Sequence, residues 1–180
     1  MRTAGIWLLL AALPAGAQSV RRPVAAVASI ERPRCSLDVI HNLEDAFDAK
    51  LESAGPERMR VMGATRGLYL PGYGLVFTAE LDLTFTPMAG GIVPRQITPE
   101  ERITYHAKKL QQLPLLERLM REMVTGSAQK VDLMPEGERI VLAIRLWYQG
   151  WEDQTQLPSQ ILMTADRKSA MAGHMEVSTQ

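Results

Sequence analysis

From Leu75 the chain alternates. Leu75, Phe77, Ala79, Leu81, Leu83 and Phe85 are apolar on one side, with Val76, Thr78, Glu80, Asp82, Thr84 and Thr86 between them. Alternation of this length predicts a half-buried antiparallel strand, one side on a core and the other in water. Pro71-Gly72-Tyr73-Gly74 just before it is turn chemistry, because Pro presets φ and the glycines tolerate positive φ. The stretch from Leu68 therefore predicts a hairpin whose second arm is a central strand. A weaker first arm is expected over residues 58–70, with Gly63 and Gly67 marking bulges or bends. A loop follows over 87–94. A third strand is expected over 138–149, with Ile140, Leu142, Ile144, Leu146 and Tyr148 on one face. After a turn through 150–159, a fourth is expected over 160–170.

Two stretches change period from two to between three and four. Leu37, Ile40, Leu43, Phe47 and Leu51 form one stripe behind a Ser36 cap, and Gly55-Pro56 ends that helix. Thr98-Pro99-Glu100-Glu101 starts a second: Thr as cap, Pro at the first helical position, Glu101 closing a capping box. Its apolar side is Ile103, Leu110, Leu113, Leu116, Leu119, Met120 and Met123, Pro114 predicts a kink or two abutting helices, and Gly126 ends it. The expected class is α+β: an antiparallel sheet of about four strands with two main helices packed on one face, in the order α-β-β-α-β-β. The wetted face would carry Glu80, Asp82, Arg145 and the threonines.

Composition narrows the function classes. Lys plus Arg number 20 and Asp plus Glu number 20, so no basic field favours nucleic acid. Arg2, the apolar run 6–13 and Ala15-Gly16-Ala17 fit a cleaved signal peptide over residues 1–17, with the mature chain starting at Gln18. An uncleaved membrane anchor is the competing reading, but the run is short for a bilayer, and no transmembrane segment is expected after cleavage. Residues 18–35 are expected as a flexible segment, with an edge strand over 24–30 as an option. A single domain is expected over 36–170 and a disordered tail over 171–180. The location implied is periplasmic or secreted. Cys35 is the sole cysteine, so no intramolecular disulfide can form, and three readings stay open: a buried inert residue, a free thiol or an intermolecular link.

Candidate chemistry is sparse. His41 sits with Asp38, Glu44 and Asp45 at helical spacing, a pattern open to loose metal binding or base chemistry, but acidic helix faces are usually solvated. Cys35 and His41 invite a thiol-nucleophile reading without an orienting third group. His106 lacks ligand spacing, and His174 lies in the tail. Neither a Gly-x-Ser-x-Gly elbow nor a phosphate loop occurs, and no catalytic residue, metal or cofactor is assigned. The remaining feature is aromatic. Trp147, Tyr148 and Trp151 cluster at the end of the third strand and Tyr69 and Tyr73 lie beside the first turn, so two turns at one end of the sheet would give a shared patch for a sugar, peptide or protein. The plainer reading is that these rings cover a sheet edge or pack under a loop.

The run Tyr69-Leu70-Pro71-Gly72-Tyr73-Gly74-Leu75-Val76-Phe77-Thr78, the helix with Leu113-Pro114, and Leu157-Pro158-Ser159-Gln160-Ile161 resemble uncharacterised exported proteins of soil bacteria. That resemblance implies no activity and assigns no residue a role. The expectation is a non-enzymatic binding or assembly module of the bacterial envelope, its partner an envelope protein, peptide or glycan. A secreted hydrolase-like enzyme and a subunit of a larger envelope complex are the alternatives.

Overall fold

The structure, a computed structural model, describes residues 35–55, 57–85 and 96–180. The expected leader, the segment 18–34 with its optional strand, and the loop 87–94 lie outside the described residues.

Helix α1 (Leu37–Ser53) starts where Ser36 accepts a hydrogen bond from the Val39 N–H at 3.3 Å, and it buries Ile40, Leu43, Phe47 and Leu51. The expected first arm is split in two. Strand β1 (Arg60–Val61) and strand β2 (Arg66–Leu70) are separated at Gly63, whose φ of +100° only glycine adopts freely. Both pair antiparallel with β3 (Gly74–Asp82), β2 through the predicted hairpin. Helix α2 (Pro99–Lys130) has the capping box and runs through Pro114 and Gly126 as one helix. Strand β4 (Arg139–Leu146) follows, then β5 (Gln160–Asp166), the short helix α3 (Arg167–Met171) and β6 (Glu176–Thr179).

The class is α+β as expected, but the sheet is mixed and larger than four strands. Its order is β1-β3-β4-β5-β6, with β2 also on β3, and the central pair β3–β4 is parallel, from Gly74↔Arg139 to Leu81↔Leu146. The reason is α2. Its 32 residues, about 48 Å of helix, carry the chain from the end of β3 back past its start, so β4 sets off in the same direction. The alternation pointed to antiparallel pairing because parallel strands are usually covered on both faces. Here the described helices pack on one face, meeting Leu75, Phe77, Leu81, Ile140, Leu142, Ile144, Ile161 and Met163, all essentially inaccessible. Each such side chain contributes about 1.5–3 kcal/mol on burial. Phe47 of α1 stands edge-on to Phe77, their centroids 4.8 Å apart.

Three other expectations are corrected. The alternation ends at Asp82, leaving Phe85 61% exposed. Ile103, placed on the apolar side of α2, is exposed. The tail is not frayed after 171, because Glu176–Thr179 adds a strand along Ile161–Thr164 of β5.

Candidate functional site

The chemistry of the molecule concentrates where β3 and β4 end. Asp82 is the last residue of β3, and Lys109 rises from α2 on the line Tyr105, Lys109, Gln112, Leu116 that faces the sheet; both charged side chains are fully buried. Lys109 Nζ lies 3.0 Å from Asp82 Oδ1 and 2.5 Å from Glu152 Oε2, and donates to the Trp147 carbonyl at 3.4 Å. These three contacts take all three donors of the ammonium. Glu152 comes from the β4–β5 loop, and its Oε1 accepts the Gln149 N–H at 3.1 Å. The Thr84 N–H reaches Asp82 Oδ1 at 3.4 Å, and Arg60 Nη2 stands 3.9 Å from Asp82 Oδ2. Two cations and two carboxylates thus balance, as burial demands.

Aromatic rings close the cluster. The Tyr148 ring lies 5.0 Å from Lys109 Nζ, and its hydroxyl donates to the Pro158 carbonyl at 2.7 Å. Loss of water by burial, then the charges of Glu152 and Asp82, push the phenol's ionisation far above its ordinary range. Trp151 stands edge-on to Tyr105 at 5.7 Å, and His106 Nδ1 lies 2.9 Å from the Asp153 carbonyl, so α2 holds the loop at two further points.

The five aromatic residues expected as one patch divide into two groups. Trp147, Tyr148 and Trp151 belong to this cluster at the C-terminal ends of β3 and β4, whereas Tyr69 and Tyr73 flank the hairpin at the other end. Seven strand steps between the pairs Gly74↔Arg139 and Leu81↔Leu146 set the two ends about 23 Å apart. Tyr69 donates to Glu138 Oε2 at 2.9 Å, Glu138 Oε1 accepts the Gly72 N–H at 3.1 Å, and Tyr73 is exposed.

Close to that hairpin a cavity of about 690 Å³ is lined by residues including Arg139, Asp166, Lys168, Ser169, His174 and Glu176. Serine, histidine and aspartate meet there, yet the Ser169 hydroxyl and N–H both donate to Asp166, which caps α3. Those bonds hold the Asp166 carboxyl below the usual range. His41 is exposed, and burial pushes the Cys35 thiol up, the opposite of what an activated thiolate needs. Among the described residues no three His, Cys, Asp or Glu side chains converge as metal ligands.

The sheet face that no described helix covers is the third feature. Leu68 is 57% and Leu70 41% exposed, with Val76 half-buried beside Leu68 and Leu162 half-buried farther across the face on β5. Arg145 pairs with Glu80 in solvent at 3.3 Å, and a shallow depression of about 380 Å³ lies over Arg66, Thr78, Ala143 and Gln160.

Sequence reasoning missed Asp82, Lys109 and Glu152 as a unit. The signal for Lys109 was its place one helical step behind Gln112 and Leu116 on the buried line of α2. Asp82 carried no such signal, since its alternation placed it with Glu80 in water. Comparison with protein-family models, with curated proteins and with solved structures finds no match to the chain.

Proposed function

We propose that the chain is an exported, non-enzymatic binding or assembly module of the bacterial envelope, and that it engages a protein or peptide through the uncovered face of its sheet. The observation carrying this reading is the parallel pair β3–β4, which among the described residues has helices on one side. Parallel strands are ordinarily covered on both faces. The apolar residues left on the open face, Leu68, Leu70, Val76 and Leu162, are framed by Arg66, Glu80 and Arg145, as the apolar centre of an interface is framed by a polar rim. The buried charges, by contrast, are engaged with one another.

Site-specific photo-crosslinking in a bacterial host, with the chain carrying its own leader, tests the docking face. A photoreactive residue in place of Thr78 or Arg145 is expected to yield a discrete adduct, and one in place of Lys108 or Arg121 on α2 none. Adducts from α2 alone, or from neither surface, would overturn the reading. Intact mass of the soluble extracytoplasmic species tests export: a chain starting at Gln18 supports it, and a full-length chain confined to membranes rejects the cleaved leader.

A further inference from the structure

The cavity of about 690 Å³ at the start of β4 has the size of a small-molecule site, which runs to about 300–1,000 Å³. Its charges behave unlike those of the shallower depressions. Beside α2, Lys108 pairs with Glu57 at 2.7 Å, and on the sheet face Arg145 pairs with Glu80 at 3.3 Å, each pair lining one depression. The large cavity is lined by Arg139 and Lys168 and by Glu136 and Glu176. Among the described residues none of these four side chains has an ion pair or a hydrogen bond. Opposite charges share one cavity and stay apart.

The fold keeps them apart by committing the nearest carboxylates elsewhere. Glu138, next to Arg139 in the chain, accepts from the Tyr69 hydroxyl and the Gly72 N–H. Asp166, opposite Arg139 on β5, accepts the Ser169 N–H at 2.8 Å and the Ser169 hydroxyl at 2.7 Å. The Arg139 guanidinium is left with its donors free. Glu176 stands across Thr164, which in turn stands across Val141, so Arg139 and Glu176 rise from the same sheet face. Two strand spacings and two residue steps separate their Cα atoms, about 12 Å, an interval that two long side chains and a small ligand between them can span. A simple anion there would meet Glu136 and Glu176, and a simple cation would meet Arg139 and Lys168. A ligand bearing both charges gives each side its complement.

We propose that this cavity binds a small zwitterion, a free amino acid or a short peptide. Its carboxylate lies on Arg139 and Lys168, where the guanidinium fork matches two carboxylate oxygens, and its ammonium lies on Glu136 and Glu176. The residues involved are not those of the docking face, so either reading can fail without the other.

The test is an amide NMR titration of the mature chain with four probes at equal ionic strength: alanine, trialanine, acetate and methylammonium. Alanine or trialanine is expected to move the Gly137 and Glu176 resonances along a saturating curve. Acetate and methylammonium, each carrying one of the two charges, should bind at least about ten-fold more weakly. Saturation by alanine identifies free amino acids as the source of the ligand, and saturation by trialanine alone identifies peptides. Arg139 and Glu176 are exposed, so Arg139→Gln and Glu176→Gln should fold, and each should raise the Kd of the zwitterion about ten-fold. Arg145→Gln, outside the cavity, should leave it unchanged. No saturating shift with either zwitterion overturns the proposal. So does acetate binding as tightly as alanine and trialanine, or a Kd unchanged in both cavity variants.

Discussion

Tyr148 shows how a single side chain reads out its surroundings. Its hydroxyl is a donor to Pro158, and its ring lies over Lys109 beside two buried carboxylates, so the neutral phenol is strongly favoured in the folded state. In the unfolded chain it ionises near the ordinary value of 10.0; in the folded protein it ionises well above it. A raised folded value means the folded state holds the proton more tightly. The stabilisation is therefore complete below pH 10.0 and is lost as pH rises from there toward the folded value. Wild-type unfolding free energy is expected to fall more steeply above that pH than that of Tyr148→Phe. In an ultraviolet titration of the folded protein, the last tyrosinate component should disappear with the same substitution. At neutral pH the variant should lose only about 1 kcal/mol, the net value of one hydrogen bond. None of this was legible from Tyr148 itself, which the alternation placed on a strand that in fact ends at Leu146. The sequence marks an aromatic cluster; what surrounds it depends on Asp82 and Lys109, which are distant along the chain and meet only once α2 crosses the sheet.

At the scale of elements, local rules held where the cause is local. The Ser36 cap, the capping box of Thr98 and Glu101, and the alternating faces of β3 and β4 follow from neighbouring residues, and all are present. Pro71-Gly72-Tyr73-Gly74 was legible as a turn, but Gly74 has a second role that no local rule contains. It has a φ of +131°, and a Cβ there would stand 1.9 Å from the Arg139 carbonyl oxygen, within the first pair of the parallel ladder. Gly74→Ala must therefore push β4 away from β3 as well as strain its own backbone. It is expected to cost on the order of 3 kcal/mol or more. Gly72, at φ +80° with open space around it, isolates the backbone part, so Gly72→Ala should cost about 1 kcal/mol. Urea unfolding of both variants separates the two effects; equal losses would mean that the β3–β4 approach is not what Gly74 serves.

For the whole molecule, the sequence left out what pairs with what. Hydrophobic alternation records which faces are buried and bears on strand direction only through the usual two-sided cover of parallel strands, an inference that fails at β3 and β4. It is silent altogether at β6, where Glu176, Val177, Ser178 and Thr179 are all exposed and the tie to β5 is made by the backbone. That tie extends to Gln180, whose N–H donates to the Gln160 carbonyl at 3.1 Å and whose carbonyl accepts the Ser159 N–H at 2.6 Å. Met175, just ahead of the strand, packs on the core. Removing residues 174–180 should therefore do two things that removing a loose tail would not. The lost ladder and the lost Met175 contact should lower unfolding stability by about 2–4 kcal/mol, at roughly 1 kcal/mol per net hydrogen bond. The freed edge of β5, with Ile161 and Met163 on its core side, should pair with other copies, because an uncovered strand edge is a template for another strand. Urea midpoints and sedimentation velocity read the two effects separately. A truncated chain with the native midpoint would show that β6 contributes nothing to the fold. A destabilised but strictly monomeric chain would show that the sheet ends safely at β5 and that β6 serves stability alone.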